Sequence, residues 1–233
     1  KCLFIVDNNS LQILTNTSPG ITLADTVFTD IRQRIVEGNI STGSKLSEPG
    51  LAKYYEISRS TLRDALSRLE GCGLLERKAN IGYRVVTLST EQLLEVFRVR
   101  ESLEGMACRL AATSLTEEHA ETIQNALGTC NAVAGTTDKA KYSLANLEFH
   151  AAIHAATDNH WLIEQLQHIG IHINPYRSLP YDLRGRLTKS TEEHAAICEA
   201  ILSGKGDKAS ELMRNHIMLQ GKRLPFVLKL LSQ

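Results

Sequence analysis

No uncharged apolar stretch in this chain approaches the ~18 residues that a membrane-spanning helix needs, which argues against an integral membrane protein. Cysteine is sparse: Cys2, Cys72, Cys108, Cys130 and Cys198 are odd in number, scattered, and form no C-x-x-C pair. That pattern argues against a disulfide framework or a structural zinc knuckle and fits a reducing, cytoplasmic compartment. Aromatic residues reach only 5%, which favours aliphatic helix packing over a β-sandwich. Neither sign of charge prevails, with 26 Lys and Arg against 26 Asp and Glu, so composition alone selects no polyanionic partner. Internal repeats and low-complexity stretches are missing. Residues 1–20 lack a basic segment followed by an apolar one, so they read as a tail and not as a signal peptide. What remains is a globular composition, 42% hydrophobic and 22% charged, over 233 residues, enough for one large domain or two small ones.

The zero net charge conceals an asymmetry. Residues 1–90 carry 11 Lys and Arg against 9 Asp and Glu, whereas residues 91–233 carry 15 against 17. All eight histidines lie between His119 and His216. The two halves are therefore expected to have different tasks: 21–88 as one domain, 89–233 as a second.

In the first, Val27, Ile31, Ile35 and Val36 recur at helical spacing from Leu23 onward, and Gly38 ends the helix. Ser41–Ser44 reads as a turn. Ser47 opens a second helix, Glu48 to Tyr55, with Pro49 tolerated in its first turn. Ser58 is an N-cap for a third, Arg59 to Gly71, whose buried stripe is Leu62, Leu66 and Leu69. Two short strands follow, joined by a tip at Ala79–Gly82.

Three helices and a hairpin make the plan of a winged helix-turn-helix. With the leucine stripe turned inward, Arg59 and Arg63 stand four residues apart on the outer side of the third helix's first turns, beside Ser60 and Thr61. An amino-terminal turn presented to a major groove needs long cationic donors there. An arginine can give two hydrogen bonds to a guanine edge or meet a phosphate, and the helix dipole favours phosphate at that end. An arginine pair by itself fits a solvated surface helix equally well. Its place at the head of the third helix, after a short turn and before a glycine-tipped hairpin, favours DNA. Arg68, further along, suits packing or a backbone contact.

These residues resemble the DNA-binding domain of GntR-type bacterial transcription regulators. The resemblance covers 27–86 and is carried by Ile35-Val36-Glu37-Gly38, Gly43-Ser44-Lys45-Leu46-Ser47-Glu48, Leu51-Ala52, Ile57 through Leu66, and Leu69-Glu70 to Gly73-Leu74. It implies operator contacts from Arg59, Ser60, Thr61 and Arg63 and from the wing around Gly82. Some members add an arginine of the second helix; Pro49 stands at that place here. Thr61 replaces a frequent proline.

The second half reads as six helices, over 90–113, 117–134, 138–157, 159–178, 187–203 and 207–230, with short connections and hence antiparallel packing. Asn146 and His150 are one turn apart on one face. His194 shares a face with Ile197 and Ile201, and His216 with Leu212 and Leu219. Imidazoles on apolar faces point into a bundle, and three of them with an amide would build a metal site. Each histidine alone also fits a satisfied core or surface residue, and spacing does not decide between the two. His119, His160 and His168 are read as structural; His154 and His172 stay open.

Residues 91–220 resemble the FCD effector domain of the FadR branch of the same regulators, and six helices instead of seven resemble the shorter VanR-type subgroup. Val99-Arg100-Glu101-Ser102-Leu103-Glu104, Asn146 through His150, Glu193-His194 with Ile197 and Ala200-Ile201, Gly206 through Ala209, and Met213 through His216 carry the match. The resemblance implies a divalent ion (zinc, nickel or manganese) on His150, His194 and His216. Asn146 stands where metal-binding members have Asp; its carbonyl can still ligate, but a charge is lost. It also implies that Arg100 grips the acid group of a small organic-acid or sugar-acid effector, the alternative being an ion pair with Glu104. Tyr176, Arg177 and Arg184 lie near the connection that would close such a pocket.

The expected protein is mainly α, a winged helix-turn-helix followed by an all-α bundle. It acts as a homodimeric, cytoplasmic, ligand-responsive regulator on palindromic double-stranded operator DNA, with no membrane partner. The resemblance favours a repressor released by its metabolite. Three other readings stand beside it: a metal sensor, a metalloenzyme fused to a DNA-binding domain, and an architectural DNA binder without effector. The enzyme reading is disfavoured because the cluster offers no evident general base, and an enzyme has no need of the first 90 residues.

Overall fold

The computed structural model describes residues 20–78, 82–136, 138–176, 181 and 185–231, of which 219–231 as backbone only. The expected tail, the wing tip at 79–81, and Arg177 and Arg184 lie outside the described residues, as does the side chain of Leu219. The chain divides into two compact units between Thr87 and Leu88.

The first unit begins with α1, Leu23–Val36, opened by a capping box in which Thr22 and Asp25 satisfy each other's backbone N–H. Its buried residues are Ala24, Val27, Ile31 and Ile35. β1 is the two-residue strand Lys45–Leu46. Ser47 caps α2, Glu48–Tyr54, by accepting the Gly50 N–H, and Pro49 sits in the first turn where its missing donor costs nothing. Ser58 caps α3, Arg59–Gly71, whose Leu62, Ala65, Leu66 and Leu69 are fully buried and which packs against α1. Each of those leucines contributes about 1.5–3 kcal/mol by leaving water.

β2, Leu75–Lys78, and β3, Gly82–Val85, form the antiparallel hairpin, with Lys78 opposite Gly82. β1 adds a third strand, in two residues between the expected turn Ser41–Ser44 and Ser47 to which the sequence assigned no element. The order is β1-β3-β2, with Lys45 and Leu46 opposite Arg84 and Tyr83. The wing is thereby tied at its base to the turn before α2.

The second unit consists of α4, Thr90–Thr113; α5, Glu117–Ala134; α6, Lys139–Ala155; α7, His160–Ile173, continued by a short 3-10 turn over Asn174–Tyr176; α8, Arg186–Leu202; and α9, Gly206–Leu231. Side-chain caps open four of them, from Ser89, Thr116, Asp138 and Asn159. The core gathers Ile123, Tyr142, Phe149, Ile153, Ile197, Ile201, Met213 and Ile217. α4 packs most extensively on α9. Two glycines allow that approach: a Cβ at Gly105 would come within 2.6 Å of the Arg214 side chain, and one at Gly206 within 3.0 Å of the Arg109 carbonyl. Among the described residues no helix is long and apolar enough to cross a membrane.

Candidate functional site

Two sets of residues present chemistry, one in each unit. In the first, the turn Glu56–Ile57 delivers the chain to Ser58, whose hydroxyl accepts the Thr61 N–H at 3.2 Å and lies 2.8 Å from the hydroxyls of both Ser60 and Thr61. Arg59, Ser60 and Arg63 are exposed and Thr61 is half-buried. The head of α3 therefore faces solvent while its leucines face α1. Gly82 occupies the left-handed region at φ 87, which its lack of a Cβ permits, and starts the returning strand of the wing. Arg68 is engaged elsewhere: its guanidinium bonds Asp25 at 2.6 Å and lies 4.6 Å from the centre of the Phe28 ring. It serves packing.

Arg63 carries a contact that sequence reading missed. Its Nε donates to Glu48 Oε2 at 2.9 Å, and that carboxylate holds the guanidinium charged. Glu48 is the first residue of α2, fixed between its cap and Pro49. Using Nε for the carboxylate leaves the two terminal nitrogens, the pair suited to a guanine edge. Glu48→Gln is expected to tighten binding to random duplex, since it removes a negative charge beside Arg63 at the exposed head of α3. It should also lower the preference for a duplex selected by the wild-type protein by about tenfold. Competition binding at fixed salt measures both; an unchanged preference would show that Arg63 needs no such support.

In the second unit, α4, α6, α8 and α9 bring polar side chains together inside the core. Arg100, Glu104, Asn146, His150, His194 and His216 are all buried, none more than 4% exposed. One nitrogen from each of His150, His194 and His216 lies within 4.8 Å of the others. His194 Nε2 and His216 Nε2 are 3.3 Å apart. Two nitrogens bound at ~2.0–2.1 Å to one tetrahedral zinc ion would stand about 3.3 Å from each other, so this pair already has the separation that an ion requires. Phe149 stacks on His194 with ring centres 4.4 Å apart and holds its plane. Asn146 lies one turn before His150 on the same helix, fully buried.

Two carboxylates set the imidazoles. Glu104 Oε2 is 2.9 Å from His150 Nδ1, and Glu193 Oε2 is 2.6 Å from His216 Nδ1. An ionised carboxylate only accepts, so each Nδ1 bears the proton and Nε2 becomes the basic nitrogen that a metal ion takes. Each carboxylate is held in turn by an arginine. Arg100 donates from Nε and Nη2 to Glu104 Oε1 at 3.0 and 2.8 Å. Arg186 grips Glu193 with both terminal nitrogens at 3.0 and 2.9 Å. Burial would raise the Glu104 carboxyl, but His150, His154 and Arg100 hold it well below the usual range. Glu193 is likewise brought down to about 2 against its burial, by hydrogen bonds from His216 and Arg186. Burial pushes His216 below the ordinary imidazole range despite the attraction of Glu193, which keeps the ring neutral as a ligand must be.

The structure thus brings the three expected imidazoles together and adds Glu104, Glu193 and Arg186. It also forms the ion pair between Arg100 and Glu104 that was the alternative to an effector role for Arg100. That pair does not exhaust the guanidinium, because Arg100 Nη1 is buried and meets no partner among the described residues. His154, left open by the sequence, donates from Nε2 to Glu104 Oε2 at 2.9 Å and so meets the same buried carboxylate as His150. His172 instead packs beside His168, ring centres 5.5 Å apart. Tyr176 is buried, and its hydroxyl accepts the Leu88 N–H at 2.9 Å. A shallow groove of about 410 Å³ between α5 and α8 contains none of these groups. Spacing offered one signal for the missed residues, the four-residue step from Arg100 to Glu104. Glu48, Glu193 and Arg186 meet their partners only through the fold.

Comparison with known proteins covers both units. Residues 23–85 match the family described as bacterial regulatory proteins, gntR family, and residues 95–218, more than half the chain, match the FCD domain. The chain is 28% identical over 197 residues to the "Probable D-xylose utilization operon transcriptional repressor" of Paenarthrobacter nicotinovorans, covering 84% of this chain and 86% of that protein. It is also 28% identical over 201 residues to the HTH-type transcriptional repressor GlaR of Escherichia coli strain K12, covering 81% and 89%. Among solved structures, E. coli McbR/YncC shares the fold with a TM-score of 0.77 at 21% identity, over 88% of this chain and 97% of that one. With a DNA-binding domain of the one kind followed by an FCD domain, the chain belongs to the GntR family of bacterial regulatory proteins, and it is a transcription regulator and not an enzyme.

Proposed function

We propose that this regulator is a homodimeric repressor, acting in the cytoplasm, that leaves a palindromic operator when a small carboxylate or sugar acid binds at the buried histidine cluster of its helical unit. Residues 21–88 read the operator through Arg59, Ser60, Thr61, Arg63 and the wing at Gly82. Residues 89–233 pair two chains and bind the effector. Pairing sets the spacing of two α3 helices along one face of the duplex. The observation that carries the effector reading is a buried Arg100 nitrogen without a partner among the described residues, in the same core as three buried imidazoles whose nitrogens converge. A buried cationic N–H left unbonded is costly and is the natural anchor of a carboxylate oxygen.

His150, His194 and His216 would hold a divalent ion, zinc, nickel or manganese, with Asn146 offering an amide oxygen. The bound ion would supply an open position for an oxygen of the effector. Glu104 and Glu193 orient the rings, and Arg100 orients the acid. An effector shifts the dimer only by as much as it prefers one arrangement of the DNA-binding units over the other. The repressor direction is supported by relatives named as repressors.

The test is a fluorescence-anisotropy assay on a duplex selected from a random pool by the full-length protein. Organic and sugar acids are added with zinc present, then with a chelator. At least one acid is expected to weaken binding by about 5–150-fold, the usual span of allosteric coupling, and chelation should abolish that effect. Release by zinc alone, with no acid, would instead make the protein a metal sensor. Operator binding indifferent to every acid and to the ion would leave an architectural DNA binder.

A further inference from the structure

α4 has two apolar faces. One packs into the core of its own unit through Leu93, Phe97, Ala107, Cys108 and Ala111. The other stays open. Val99 and Met106 are 53% and 48% exposed, and Val96, Leu103 and Leu110 beside them are half-buried. These five follow one another at steps of three, four, three and four residues. A stripe with that repeat stays beneath a second helix along its whole length, as in the seam of a two-helix coil. It lies on another flank of α4 from Gly105, where the Arg214 side chain of α9 closes in. A contiguous apolar stripe left at a surface marks an interface.

The charges beside the seam select its occupant. Glu95, Ser102 and Arg109 are exposed and run along one edge, each just before one of the half-buried residues. Glu95 and Arg109 stand seven residues on either side of Ser102. A two-fold axis through Ser102, with the helices antiparallel, lays Glu95 of each copy beside Arg109 of the other. Val99 of each then falls between Leu103 and Met106 of the other. The edge complements itself, as a contact between identical surfaces requires. A parallel arrangement would instead set Glu95 level with its own copy and Arg109 with its own. The ion pair that Arg109 makes within the chain, 2.8 Å from Asp207, is solvated and weak, the aspartate side chain being 90% exposed. From this pattern we infer that α4 is the pairing surface of the regulator, its open seam filled by α4 of a second copy, antiparallel about Ser102. The inference rests on the homodimer proposed above and deepens it.

Analytical ultracentrifugation of the full-length protein over a concentration series tests it. The wild type is expected to be a dimer. Glu95→Arg and Arg109→Glu each set like charges together twice per dimer and should weaken pairing about tenfold or more. The double variant should return it to within about threefold of wild type. Met106→Glu places two carboxylates in the closed seam and should weaken pairing about 100-fold or more, with helical circular dichroism unchanged. A dimer indifferent to Met106→Glu overturns the seam. Charge variants without effect, or losses that the double variant does not repair, overturn its register. Either result leaves a homodimer standing on another surface, whereas a monomeric wild type overturns both readings. If a charge variant fails to fold, Ser102→Cys decides: it should form an intermolecular disulfide across the axis under mild oxidation, and no such cross-link overturns the register.

Discussion

Glu104→Gln is expected to destabilise the helical unit by about 3–5 kcal/mol, the cost of removing one partner from a buried ion pair. The amide conserves volume, so no cavity contributes. What changes is that Arg100 keeps its charge at 4% exposure while its counter-ion is gone, and His150 and His154 lose a shared acceptor. The sign of the pH dependence follows from the folded-state carboxyl, which lies well below its ordinary 4.5. Such a group stabilises fully above the unfolded value and loses its contribution as pH falls through the folded one. The gap between wild type and variant should therefore be complete at neutral pH and close in acid. Urea unfolding followed by helical circular dichroism at both pH values measures it. A loss below about 1 kcal/mol at neutral pH would mean that solvent reaches Arg100 and takes over the role of the carboxylate.

His194→Ala should have the largest effect on metal binding. Changing a group that merely orients a ligand costs about 10–100-fold in affinity, and deleting the ligand itself should exceed about 100-fold. Glu193→Gln supplies the internal comparison, expected inside the 10–100-fold range because His216 keeps its ring and loses only the acceptor at Nδ1. Competition for zinc against a chromophoric chelator gives both values. Because His194 stacks on Phe149, the alanine variant is also expected to be less stable without metal, so unfolding is compared in chelated samples. Full zinc occupancy in His194→Ala would place the ion elsewhere.

Much of this architecture is written locally. α3 runs from Arg59 to Gly71, as expected from the Ser58 cap and the leucine stripe, and α4 from Thr90 to Thr113, the expected span. Caps are short-range devices, and a three-residue reach is visible in a sequence. β1 was invisible for the opposite reason. Two residues have no period, and Lys45–Leu46 becomes a strand only because Tyr83 and Arg84 lie opposite. The candidate site divides in the same way. The imidazoles were candidates by spacing, and the resemblance, not the spacing, chose His150, His194 and His216 among them. Their supports were not legible, since Glu104 stands 46 residues from His150, and Glu193 meets His216 across 23. Glu48 and Arg63, 15 apart on different helices, share that difficulty. A carboxylate in a helix gives no sign of whether it will be solvated or enclosed until its neighbours are assembled.

The close seating of α4 on α9 at Gly105 and Gly206 has a mechanical side. α4 carries Arg100 and Glu104, and it begins at Thr90, just past the boundary between the two units. Arg100 lies about 15 Å along a rod roughly 36 Å long. Steric interlock near Gly105 locks the far part of that rod against its neighbour, so a methyl group added there must either displace the Arg214 side chain or prise the two rods apart.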